Sequence, residues 1–251
     1  MANQRRYNAF LLVALATSAA NAAEQTQPDN GTDPTKQTQA VTVAYEHIAL
    51  RDGFYRGTFK PSYKLPLGPH SSVTLLVPIV RTDTAGNEDF DLGDASLKLS
   101  YVYKLTRDHG IVLQGEVVFD TAGRPELGGN ATVLKGTVIY AKFLQGGAIF
   151  APTLGLNEGF GPDGRTVRSL VADFYYVPKL SDPRYYVTFD PALTADVEND
   201  AEFASVAMTI GRVIGPAFGG SSQVYVKPGV FLGGERSADW GIEIGYKVIG
   251  F

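Results

Sequence analysis

The chain has 251 residues, with 28 glycines, 13 tyrosines, 14 phenylalanines and no cysteine. A formal charge of −4 is too small to imply nucleic acid or any other strongly charged partner. The lack of cysteine excludes a disulfide framework, so an exported chain of this size must rest on a large core or a closed hydrogen-bonded sheet.

Residues 1–22 read as a secretory signal peptide. Arg5 and Arg6 make a positive region, residues 10–16 an apolar run, and Ala20-Asn21-Ala22 a small-x-small cleavage site with the cut before Ala23. The run is too short for a membrane anchor, which needs roughly 20 apolar residues. Arg5-Arg6 lacks the rest of a twin-arginine pattern, which predicts export of an unfolded chain. Residues 23–39 are polar, rich in Gln, Asn, Asp, Thr and Pro, and predict a disordered periplasmic lead-in.

Residues 40–251 show no helical periodicity. They show twelve alternating segments, each near the length of a tilted membrane-spanning strand. The first, 41–50, sets Val41, Val43 and Tyr45 in phase. The second, 54–65, alternates Tyr55, Phe59, Tyr63 and Leu65 with Arg56, Thr58, Lys60, Ser62 and Lys64. The third, 72–80, carries Val73, Leu75, Val77 and Ile79. The fourth, 94–105, alternates Leu97, Leu99, Tyr101 and Tyr103 with Lys98, Ser100 and Lys104. The fifth, 111–120, sets Ile111, Leu113, Val117 and Phe119 against Gln114, Glu116 and Asp120. Segments at 131–143, 148–157, 167–178, 184–194, 202–214 and 222–232 follow the same rule. The last, 239–251, alternates Trp240, Ile242, Ile244, Tyr246 and Val248 with Gly241, Glu243, Gly245 and Lys247. If 41–50 is not a strand, two of the remaining segments must merge and the count falls to ten.

In hydrocarbon every backbone N–H and C=O needs an internal partner, and strands supply it only by closing on themselves. The expected fold is therefore all-β, a transmembrane antiparallel up-and-down β-barrel of about twelve strands, located in the bacterial outer membrane. Tyr55, Phe119 and Trp240 fall near the outer rim, and Tyr63, Tyr101, Tyr103, Tyr140, Tyr176 and Tyr185 near the inner one, as in an aromatic girdle. Connections are short on balance on the periplasmic side, although 51–53 is a short outer loop and 66–71 a long turn. The competing architecture is a soluble β-sandwich or lipocalin-like barrel with the apolar face buried.

Twelve strands predict a bore wider than that of a side-chain-filled eight-stranded barrel and narrower than a porin's. The expected lining is Arg56, Lys60, Lys64, Lys98, Lys104, Lys135, Lys227 and Lys247 against Glu116, Asp120, Asp173, Asp190 and Glu243. These charges either form opposed arcs that orient a polar solute or pair with each other and close the passage. Tyr175, Tyr186 and Tyr225 also face inward, able to stack on an aromatic solute or to serve as packing.

Two resemblances follow from residues already named. The alternating segment from Trp240 to Val248, followed by Phe251, resembles the last strand of bacterial outer-membrane barrels, which implies recognition by the barrel assembly machinery. Phe251 is out of phase with the rest, so the strand kinks at Gly250 or its end leaves the ladder. The stretch Gly93-Asp94-Ala95-Ser96-Leu97-Lys98-Leu99-Ser100-Tyr101, with Tyr225-x-Lys227-Pro228, is similar to outer-membrane transporters described as "MetA-pathway of phenol degradation" proteins. That resemblance implies passive uptake of small, often aromatic or hydrophobic, compounds. The expected partners are outer-membrane lipids, a small-molecule solute and the assembly machinery, with no cofactor, metal or nucleic acid.

Two other functions compete. A structural or adhesive barrel would work through its loops. A lipid hydrolase would use an outward-facing Ser–His pair, for which His47 and Ser237 are the candidates.

Overall fold

The computed structural model describes residues 29–86, 88–161 and 166–251. The expected signal peptide lies outside the described residues. Twelve antiparallel strands close into a barrel. They are β1 Ala40–Leu50, β2 Tyr55–Pro66, β3 in two pieces Ser71–Leu76 and Ile79–Thr82, and β4 in two pieces Asp91–Leu92 and Ser96–Leu105. Then come β5 His109–Val118, β6 Thr132–Phe143, β7 Ile149–Phe160, β8 Thr166–Val177, β9 Tyr185–Asp196, β10 Ala201–Ala217, β11 Gly220–Leu232 and β12 Ala238–Ile249. Each strand pairs with its neighbours in the chain, and β1 pairs with both β2 and β12, so the ladder has no edge.

The sequence dictates this through its period of two. Leu99, Val138, Leu154, Leu193 and Ile244 are all exposed, on the faces that alternation assigned to lipid. Such a continuous apolar belt would drive aggregation in water and is what a hydrocarbon surrounding requires. The soluble sandwich is thereby excluded. Rim aromatics sit as expected: the His47 ring lies 5.5 Å from both Tyr55 and Trp240, and Tyr176 stacks on Phe189. The β10–β11 hairpin turns through Phe218 and Gly219, at φ of 50° and 85°. That mirror-image turn matches the right-handed twist of the strands it joins.

The breaks in β3 and β4 lie side by side. Gly93 N–H donates to the Pro78 carbonyl (3.0 Å), and a Cβ on Gly93 would come within 2.6 Å of Val80. Only glycine permits that approach. At the last strand both sequence alternatives are realised. The ladder ends at Ile249, Gly250 takes φ of 74°, and its N–H donates to the Gln39 carbonyl (2.9 Å).

One expectation is corrected. Residues 29–39 are not a disordered lead-in but lie inside the periplasmic half of the barrel; residues 23–28 lie outside the described ones. Asp29, Asn30 and Asp33 each accept the backbone N–H two residues on, which folds the segment on itself. Tyr175 donates to the Thr32 carbonyl (3.1 Å), Ser72 to Gln37 Oε1 (2.5 Å), and Lys64 to the Lys36 carbonyl (2.8 Å). Thr32, Thr35 and Gln37 are buried, and inward-facing Val112, Ala141 and Ala151 are wholly covered. Polar composition predicts disorder in water, but the lumen wall supplies hydrogen-bond partners that water would otherwise supply.

Candidate functional site

The lumen is built in three tiers. The outermost is shaped by the loop 119–131, which follows β5. Asp94 anchors it: its carboxylate accepts the N–H groups of Thr121 (3.1 Å), Ala122 (3.0 Å) and Gly129 (2.6 Å). Arg124 pairs with Glu126 (3.2 Å), and Arg56, facing inward from β2, donates to the Glu126 carbonyl (3.2 Å). The loop is thereby tied to the wall at the outer mouth. Its Leu127 is buried.

The middle tier is a charged girdle. Lys60 on β2 lies 3.4 Å from Glu46 on β1 and 2.5 Å from Glu243 on β12. Tyr225 on β11 donates to the other oxygen of Glu243 (2.6 Å). Lys227, two residues along β11, reaches Asp190 on β9 (2.6 Å). Glu46, Lys60, Asp173, Asp190, Lys227 and Glu243 line a cavity of about 300 Å³. Four carboxylates thus face two ammonium groups. Asp173 keeps one buried oxygen without a partner.

Asp173 and Asp190 also line a second cavity of about 450 Å³, with Tyr175, Asn157 and Thr137 on its wall and Thr32 and Pro34 of the internal segment. Below it, Lys36, Lys64, Lys98 and Lys247 surround a third space of about 230 Å³. Lumen tyrosines lie flat over glycines on the neighbouring strand. An added Cβ would meet Tyr186 at 2.0 Å on Gly211 and Tyr225 at 2.3 Å on Gly245.

The structure gathers eleven of the thirteen expected lining residues on the inner face: Arg56, Lys60, Lys64, Lys98, Glu116, Lys135, Asp173, Asp190, Lys227, Glu243 and Lys247. Glu116 stands opposite Lys98 on one side and Lys135 on the other. Two are corrected. A bulge between Val102 and Lys104 shifts the register by one, so Lys104 pairs with Ile111 and faces out at the periplasmic rim. Such a slip turns every following side chain to the other face. Asp120 lies beyond the end of β5, exposed at the start of the outer loop.

Of the two electrostatic alternatives, pairing prevails around Lys60 and Lys227. Glu46 was missed, although it alternates with Val43 and Tyr45 and its phase could have shown it. The role of Asp94 was also missed, since its partners lie 27 to 35 residues away. His47 is a girdle residue held between two aromatic rings, and among the described residues nothing joins it to Ser237. No group of metal-ligating side chains is found among the described residues.

No family model matches the sequence, and no curated protein does. Solved structures do match. A COG4313 outer membrane channel from Pseudomonas putida F1 shares 14% identity at a TM-score of 0.67, over 90% of this chain and 100% of that one. NanC porin shares 12% at 0.57, over 84% and 98%, and KdgM porin 9% at 0.54, over 82% and 98%. At such identities the likeness is one of fold. The fold is that of bacterial outer-membrane channels and porins, and with its apolar outer belt the barrel belongs in the outer membrane.

Proposed function

We propose that the protein is a narrow passive channel through which small solutes enter the periplasm. The observation that carries this reading is the run of cavities inside a closed wall. The 300 Å³ and 450 Å³ spaces share Asp173 and Asp190, so a solute in one is a side chain away from the other. The segment 29–39 occupies the periplasmic side and limits the flux. Aromatic or hydrophobic compounds are the favoured solutes. Tyr175 on the lower cavity and the similarity around Gly93-Asp94 to phenol-degradation transporters support that class. Lipids of the outer membrane surround the belt, and the alternation from Trp240 to Val248 is the feature the barrel assembly machinery would read.

Reconstitution of the mature protein into planar bilayers tests the reading. Small, ion-selective conductance steps are expected, larger after deletion of residues 29–39, and shifted in selectivity by Lys60→Glu. A folded barrel that stays silent in both forms overturns it. For the solute class, a deletion strain should grow more slowly on aromatic than on non-aromatic carbon sources. Equal growth counts against it.

A further inference from the structure

We propose that the periplasmic end of the lumen is a binding site for a small oxyanion, a carboxylate or a phosphate, held by Lys98 and Lys247 with Lys64 beside them. The inward phase of β2, β4 and β12 brings these three lysines, from separate strands, to one cavity of about 230 Å³. Lys64 donates to the Lys36 carbonyl. Among the described residues Lys98 and Lys247 make no hydrogen bond and no ion pair. Lys247 stands over the face of the Tyr225 ring, 5.9 Å away, and packs beside Gly31 of the internal segment, with Asp29 and Glu243 close enough to act on it through space.

Two carboxylates line the same space, yet their oxygens are directed elsewhere. Asp29 accepts from the Gly31 N–H and the Thr38 hydroxyl, and Asp33 from the Thr35 N–H and hydroxyl. Neither comes within ion-pair distance of a lysine among the described residues. Directly opposite Lys247 on β11 sits Gln223, fully buried, with both amide atoms unpartnered. Thr74 and Ser100 add neutral donors to the cavity wall.

Enclosed ammonium groups that make no ion pair are costly, and four lysines against two carboxylates in one space leave an excess of like charges that repel. An oxyanion supplies the missing charge and several acceptor lone pairs together, and charge-assisted hydrogen bonds are the strong ones. The acid-rich middle tier above keeps such an anion at the periplasmic end. The site stands independently of transport, because it can be occupied in a barrel that conducts nothing.

The test is isothermal titration of the full mature protein, folded in detergent at low ionic strength, with inorganic phosphate and separately with benzoate. Saturable binding of one equivalent is expected. It should weaken tenfold or more in Lys98→Gln and in Lys247→Gln, be retained in Lys247→Arg, and stand unchanged in Lys142→Gln, on the outer face of the same rim. Phosphate binding alone assigns the site to a free anion of the periplasm. Benzoate binding assigns it to a carboxylate solute. Failure of both, or equal weakening by Lys142→Gln, overturns the proposal. Heat-modifiable gel mobility checks that each variant is folded.

Discussion

Replacing Asp94 with alanine should free the outer loop while leaving the barrel intact. The carboxylate accepts three backbone N–H groups, from Thr121, Ala122 and Gly129. Hydrogen bonds to a charged group are worth ~1.5–3 kcal/mol in buried settings. This carboxylate is partly exposed, so ~1 kcal/mol each, or ~3 kcal/mol for the set, is the reasonable figure. At 1.4 kcal/mol per tenfold, the opening equilibrium of the loop rises roughly 150-fold. Hydrogen–deuterium exchange reads that change directly, since local opening is what exposes amides to solvent. Amides of 119–131 should lose protection by about two decades, while the ladder between β5 and β6 keeps its own. Asp94→Asn, which retains one acceptor oxygen, should fall between. Unchanged protection in Asp94→Ala would refute the anchoring role, and loss of protection throughout the barrel would refute its local character.

Other outcomes follow from the lumen. Gly245→Val pushes a side chain into Tyr225 and breaks its 2.6 Å bond to Glu243. The unfolding midpoint in detergent should fall by the ~1–3 kcal/mol typical of overpacking; an unchanged midpoint refutes the contact. Lys60→Gln leaves Glu46 and Glu243 facing each other, and should raise cation preference in bilayer recordings and cost ~2 kcal/mol, less than a fully buried pair would. An unaltered reversal potential would show that the girdle does not control passage. On the periplasmic turn, the hydrogen bond from Arg184 holds the Asp182 carboxyl down at about 2. The folded value lies below that of the unfolded chain, about 3.9. The turn is therefore favoured above that pH and loses the benefit as pH falls toward 2. An NMR titration of Asp182 with an ordinary midpoint would contradict this.

Alternation alone was enough to read all twelve strands and the inner face of most of them, because lipid outside and water inside enforce a period of two at every position. Where the reading failed, the deciding physics was not local. Lys104 follows a clean alternation through Tyr101 and Tyr103, and only the pairing with β5 reveals the extra residue that turns it outward. Residues 29–39 have the composition of a solvated tail. Their order depends on Tyr175, Ser72 and Lys64, which lie far along the chain. Asp94 was legible as part of a motif at the start of a strand, but the loop it holds could not be found from spacing.

The meeting of β1 with β12 gives the barrel a single seam. Every other junction is a hairpin between neighbours in sequence, whereas Lys60 and Glu243, joined across β1 at this junction, are 183 residues apart. Such distant contacts are slow to form, since the intervening chain must first be ordered. The ring can thus zip shut only when the final strand arrives, and until that moment its flanks stand open to the bilayer. Glu46, Lys60 and Glu243 then act as a clasp that fastens from the wet side, the last stitch of a wall otherwise sewn from one end to the other.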